Sequence, residues 1–232
     1  MPLITPDMNI QHMLKEGGIM PEVIDEGFCP ETLLMVNYGS SDVQMGNHLT
    51  TAQTAEAPQV QFLPADEEAS YTLFLVDPDA PSKSDPKNAP WRHWVVVNIP
   101  GGQQVQVNAA SNQLTNYMGP APPPGSGDHR YIFLLYKQTN KEHPFEALAQ
   151  GVQDRRTFDF KQYAATNQLE LVASDRHRRR RYRYRRRHRR SRSIVERKMK
   201  DCKKAIVGHD KQDAQDGDKE SATLRLSFKA IA

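Results

Sequence analysis

Three short runs of nearly unbroken apolar residues, Tyr71 to Val76, Val95 to Ile99 and Ile132 to Tyr136, dominate the hydropathy pattern of the chain. Runs of roughly four to eight apolar residues flanked by Pro and Gly predict strands buried on both faces, because a buried helix is longer. Gln59 to Leu63 alternates polar and apolar with period two, the mark of a half-buried strand, and Pro64 ends it. Thr32 to Tyr38 alternates more loosely and predicts a strand closed by Gly39-Ser40-Ser41. Val43 to Leu49 predicts a second short strand, interrupted at Gly46-Asn47. Helical spacing lies toward the ends. Met8, Ile10, Met13 and Leu14 follow the cap-like Thr5-Pro6-Asp7 and stop at Gly17-Gly18, and Phe158, Tyr163 and Ala164 mark a helix within 155–168. Pro21 to Ile24 adds a helical turn and Leu169 to Ala173 a further strand. Ser82 to Pro90 and Gly119 to Gly125 are dense in breakers and predict loops. The pattern is that of a mostly β protein with a few helices.

Charge divides the chain sharply. Residues 1–175 hold 10 Lys and Arg against 21 Asp and Glu, whereas residues 176–232 hold 21 against 7, so the formal net charge of +3 describes neither part. Twelve arginines occupy the seventeen residues from Arg176 to Arg192, interleaved with Tyr182 and Tyr184. Such a tract cannot bury enough apolar surface to offset the entropy of ordering it. We therefore expect a domain over 1–175 and an Arg-rich, disordered tail over 176–232. The tail predicts nonspecific binding of polyanions, RNA among them.

Cys29 and Cys202 have neither the number nor the spacing for a disulfide framework or a zinc site. This fits a reducing compartment and predicts a cytoplasmic protein, with the vacuole and nucleus as alternatives. No apolar run approaches the roughly 20 residues that span a bilayer, and no transmembrane segment or secretory signal is expected.

Polar residues collect where the three buried runs begin or end. Asp77-Pro78-Asp79-Ala80-Pro81-Ser82 follows the first, Trp91-Arg92-His93-Trp94 opens the second, and Gly127-Asp128-His129-Arg130-Tyr131 opens the third. Strand ends are where a rigid scaffold can hold side chains around a shared cavity. His93 and His129 can each present an N–H to a phosphate or carboxylate oxygen. Asp77 can accept from an imidazole nitrogen and fix its tautomer. Tyr131 lies two residues from His129, on the same face of a strand, and adds a hydroxyl. Asp79 reads as turn chemistry. The set suits an anion-binding pocket.

Catalysis is less well served. There is no G-x-S-x-G elbow, and Ser82 has no base at a recognisable spacing. HxxxH and HExxH metal patterns and the glycine-rich loops of nucleotide sites are absent from the sequence. The expectation is binding without cofactor or metal.

In its three polar clusters the chain resembles the phosphatidylethanolamine-binding protein family, whose hallmarks are a DPDAP segment, an HW-type segment and a G-x-HRY segment. Tyr117 to Pro123, His129 to Gln138, Met45-Gly46-Asn47 and Leu171 to Ser174 are most similar to its fungal branch, which includes inhibitors of serine carboxypeptidases. The resemblance spans residues 7–175. It implies a β-sandwich-like fold with a large antiparallel sheet, a smaller sheet and peripheral helices, and a cis peptide just before Trp91, at Ala89-Pro90. It also implies a surface pocket for phosphate or a phospholipid headgroup, lined by Asp77, His93, His129 and Tyr131, with Ala121-Pro122 as a wall.

Members of the family act by binding, as protease inhibitors, signalling regulators or lipid-associated proteins. A serine carboxypeptidase is therefore an expected partner. The alternative follows fungal relatives that assist anhydride-forming polyketide pathways in secondary metabolism, where a small carboxylate would take the same pocket. One departure stands out. Relatives continue past their LVAS segment into a C-terminal element that borders the pocket, whereas here the arginine run follows Asp175, so that border is missing or replaced.

Overall fold

The three apolar runs lie side by side at the centre of one sheet. The computed structural model describes residues 6–32, 34–43, 47–64, 66–102, 105–172 and 226–230. In chain order the elements are helix α1 (Pro6–Glu16), strands β1 (Met35–Tyr38), β2 (Ser41–Val43), β3 (His48–Leu49), β4 (Gln59–Phe62), β5 (Ser70–Asp77), β6 (Trp91–Pro100), β7 (Val105–Val107), β8 (Gln113–Thr115) and β9 (His129–Gln138), a 3-10 turn (Gln153–Arg155), helix α2 (Phe160–Thr166), and strands β10 (Leu169–Leu171) and β11 (Leu226–Ala230). A smaller sheet has the order β2-β1-β4-β7, and a larger one the order β3-β11-β9-β5-β6-β8, with β10 also on β9. All described pairings are antiparallel except β11 on β9. The architecture is thus the mostly β, two-sheet fold that the pattern and the resemblance imply.

Alternation along the central strands supplies two apolar layers. Tyr71, Leu73 and Leu75 of β5 and Tyr131, Phe133 and Leu135 of β9 pack toward Val36, Val60, Phe62 and Val107 of the smaller sheet. Phe74, Val76, Ile132 and Leu134 point the other way, onto Leu14, Ile19, Val23, Phe158 and Phe160. Every residue of β5 is buried, as a strand covered on both faces requires.

The details differ from expectation where local pattern is weakest. Val43 to Leu49 yields two short pieces, β2 and β3, which join different sheets. Within 155–168 the α-helix begins only at Phe160, where the Asp159 side chain accepts from the Gln162 backbone N–H at 2.9 Å. β7 and β8 are three-residue strands that their sequences do not announce. The tail expectation falls largely on residues outside those described. Leu226–Ala230, at its far end, pairs with β9 in parallel and places Leu226 opposite His129 and Phe228 opposite Tyr131. A strand therefore borders β9 along His129 to Phe133.

Two irregularities in the β5–β6 ladder shape the site. Leu73 pairs with Val96 but Tyr71 with Ile99, which leaves one extra residue on β6, at a point where Asn98 has φ 52°. Leu75 pairs with Trp94 but Val76 with Arg92, so His93 is extra at the second. A bulge re-aims side chains. Here Trp94 enters the inter-sheet layer and His93 packs edge-on against Tyr131 of that same layer, while Arg92 lies over the Phe158 ring on the opposite face.

Candidate functional site

The end of β5 and the starts of β6 and β9 are neighbours, which brings Asp77, His93, His129 and Tyr131 together. All four are buried. His129 Nδ1 lies 2.7 Å from Asp77 Oδ2, and the other Asp77 oxygen accepts from the Asp79 backbone N–H at 2.7 Å. An ionised carboxylate only accepts, so Nδ1 of His129 carries the proton and Nε2 faces the Ser126 hydroxyl at 3.1 Å. Burial pushes the His129 pKa down, but its hydrogen bond to Asp77 and the charges of Asp77 and Asp79 outweigh it, and the net shift is upward.

His93 behaves in the opposite way. Its Nδ1 is 2.7 Å from the Met118 carbonyl, which again fixes the proton on Nδ1 and leaves Nε2 an acceptor in the neutral ring. Burial lowers its pKa, with Asp77 opposing. In the neutral ring, which burial favours, His93 turns an acceptor rather than an N–H away from Met118. The Tyr131 ring stacks on His129 at 6.2 Å and meets His93 edge-on at 5.2 Å. Burial, then the charges of Asp77 and Asp79, push its hydroxyl pKa far up, so it keeps its proton.

Asp79 is more than a turn residue. Its carboxylate accepts from the Arg130 backbone N–H at 2.8 Å and from the guanidinium at 2.6 Å and 3.0 Å. Arg130 also reaches Glu22 at 2.8 Å and the Gly18 carbonyl, tying the loop after α1 to the DPDAP turn. The segment just before Ala121-Pro122, the expected wall, is tied to β6 and to Thr54. Met118 exchanges two hydrogen bonds with His93, and Tyr117 Oη donates to the Thr54 carbonyl at 2.7 Å. Pro122 is buried and Ala121 exposed. Ala80-Pro81 and Ala89-Pro90 are both cis, the second as the resemblance implies.

Two contributors escape sequence reasoning. Arg155, buried and remote in sequence, donates to the carbonyls of Arg92, His93 and Asn116, and so pins the bulge that carries His93. Ser126 stands in a Gly-Ser-Gly turn, three residues before His129; that proximity was the only available signal. Ser126 also lines a cavity of about 460 Å³ together with Lys83, Ser84, Gly127 and Arg130. Among the described residues no group of three or more His, Cys, Asp or Glu could hold a metal, and no helix is long and apolar enough to cross a membrane.

A fold of two β-sheets with DPDAP, HW and HRY segments converging at one end defines a class, and comparison with known proteins agrees. The family model for phosphatidylethanolamine-binding protein matches residues 39–178. Carboxypeptidase Y inhibitor of Saccharomyces cerevisiae is 35% identical, the match covering 69% of this chain and 90% of the inhibitor. Protein MOTHER of FT and TFL1 homolog 2 of Oryza sativa subsp. japonica is also 35% identical, over 69% of this chain and 87% of that protein. The crystal structure of carboxypeptidase Y inhibitor complexed with its cognate proteinase aligns with a TM-score of 0.63 at 33% identity, covering 74% of this chain and 94% of the other. The chain belongs to the phosphatidylethanolamine-binding protein family.

Proposed function

We propose that the chain is a binding protein of this family that takes a phosphate, as free anion or phospholipid headgroup, at Asp77, His93, His129 and Tyr131, walled by Ala121-Pro122. The observation that carries the reading is the charge asymmetry of the two imidazoles. His129, held toward its cationic form by Asp77, supplies the charge that attracts an anion. His93, neutral with Nε2 as acceptor, suits the P–OH of a monoprotonated phosphate or the ammonium of an ethanolamine headgroup. Similarity to a carboxypeptidase inhibitor supports a second, protein-facing role, inhibition of a serine carboxypeptidase.

Thermal-shift titration of the full chain with phosphate, phosphoethanolamine and a dicarboxylate tests the pocket, with His93→Ala and His129→Ala as controls. Stabilisation by the phosphates that both variants lose is expected. A preference for the dicarboxylate would favour a metabolite of secondary metabolism, and no shift with any anion would end the reading. Residual carboxypeptidase Y activity, measured against increasing amounts of the chain, tests inhibition separately.

A further inference from the structure

Ser126 takes no part in the proposed anion site, yet its hydroxyl meets two residues that do, His129 and through it Asp77. It lies between Gly125 and Gly127, which both occupy the left-handed region at φ 77° and 79°. That region strains residues with a Cβ, so the two glycines permit a tight double reversal. The turn leaves Ser126 Oγ 3.1 Å from His129 Nε2, and His129 Nδ1 lies 2.7 Å from Asp77. In its deprotonated state the ring keeps its Nδ1 proton on the buried carboxylate and directs the Nε2 lone pair at the hydroxyl, so this role belongs to the neutral ring and anion attraction to the cationic one. This is the order of groups that activates a serine nucleophile, recognised by geometry rather than by chain order.

Access is graded in the right sense. Asp77 and His129 are buried while Ser126 is half-buried. Ser126 opens on the 460 Å³ cavity, a volume within the roughly 300–1,000 Å³ of small-molecule sites. The cavity lining is of mixed charge, with Lys83 and Arg130 beside Glu16 and Asp128. The Arg130 guanidinium is engaged by Asp79, Glu22 and the Gly18 carbonyl, whereas Lys83 makes no ion pair among the described residues.

We propose that Ser126 is a nucleophile for acyl transfer from small polar esters, with His129 as its general base and Asp77 orienting that base. Ser126 Oγ attacks the ester carbonyl carbon and its proton passes to His129 Nε2. The bond from that carbon to the alcohol oxygen then breaks, and the alcohol leaves with the proton. Water attacks the acyl-serine, gives a proton to Nε2, and releases the carboxylic acid as the serine hydroxyl is restored. Lys83 is the cation on the cavity wall that favours negative charge developing on the carbonyl oxygen.

This activity is separable from phosphate binding, which needs no serine hydroxyl. The full chain is incubated with a fluorophosphonate probe, and the adduct is located by intact mass and peptide mapping. One adduct per chain on Ser126 is expected, with none in Ser126→Ala and a labelling rate lower by about a hundredfold in His129→Gln. Asp77→Asn should slow labelling and alter its pH profile, which loss of packing alone would not do. Circular dichroism confirms that each variant is folded. Release of p-nitrophenol from p-nitrophenyl acetate, absent in Ser126→Ala, gives a second readout. Failure of the folded chain to form an adduct overturns the proposal. So does an adduct spread equally over Ser82, Ser84 and Ser126, or a rate on Ser126 unchanged by folded His129→Gln.

Discussion

Arg130 closes a fork on Asp79, Nη2 to Oδ1 at 2.6 Å and Nε to Oδ2 at 3.0 Å, with both side chains almost fully buried. Burial works against the guanidinium charge, but Glu22 and Asp79 more than compensate and raise its pKa further. Removing the arginine strands the Asp79 carboxylate in the interior. Arg130→Met should cost about 3 kcal/mol or more of stability at pH 7, read from chemical denaturation. Arg130→Lys should recover only part of it, because an ammonium cannot reproduce the planar fork. Equal stabilities for all three chains would show the pair to be dispensable.

The two site histidines should respond to pH with opposite sign. The folded pKa of His129 lies above its ordinary 6.5, so its bond to Asp77 contributes fully below pH 6.5 and fades as pH rises through the folded value. His93 lies below 6.5 when folded, so stability is lost as pH falls from 6.5 through that lower value. In melting temperature against pH, His93→Gln should flatten the acid side and His129→Gln the decline above 6.5. Exchange of these two effects would refute the assignment.

Gly119 is held by space rather than by dihedral angle. A Cβ there would stand 2.8 Å from the Thr54 carbonyl oxygen, closer than such atoms approach. Gly119→Ala should push the 117–122 loop away from β6 and weaken the bond from His93 Nδ1 to Met118. An imidazole nitrogen shift for His93 by NMR, with phosphate affinity lowered several-fold, is expected. Unchanged shifts would mean that the loop yields elsewhere.

Arg155 acts on His93 through the backbone. Its guanidinium binds the carbonyls of Arg92 and His93 at 3.2 Å and 3.0 Å and that of Asn116 at 2.9 Å. Arg155→Ala leaves these acceptors short of a donor and frees the bulge. A loss of about 2 kcal/mol is expected, with weaker phosphate binding while Asp77 and His129 remain in place. Titration calorimetry beside a denaturation curve separates the two effects, and intact affinity would make Arg155 a stability residue only.

Much of this protein can be read from residue order alone. Unbroken apolar runs with breakers at both ends determine β5, β6 and β9, because a strand covered on two faces has no polar position to spare. Period-two alternation determines β4, and the polar clusters at strand ends place Asp77, His93, His129 and Tyr131 correctly in one neighbourhood. Tertiary structure decides the rest, since it depends on pairings between distant residues. The bulge that turns His93 onto the side of Trp94 arises from register against β5 and leaves no mark in the β6 sequence. The proton positions on the two imidazoles follow from which oxygen each Nδ1 meets, Asp77 for one and the Met118 carbonyl for the other. Arg155, sixty-two residues from His93, and Ser126, beside His129 only because two glycines reverse the chain, become part of the site through packing that no local pattern encodes.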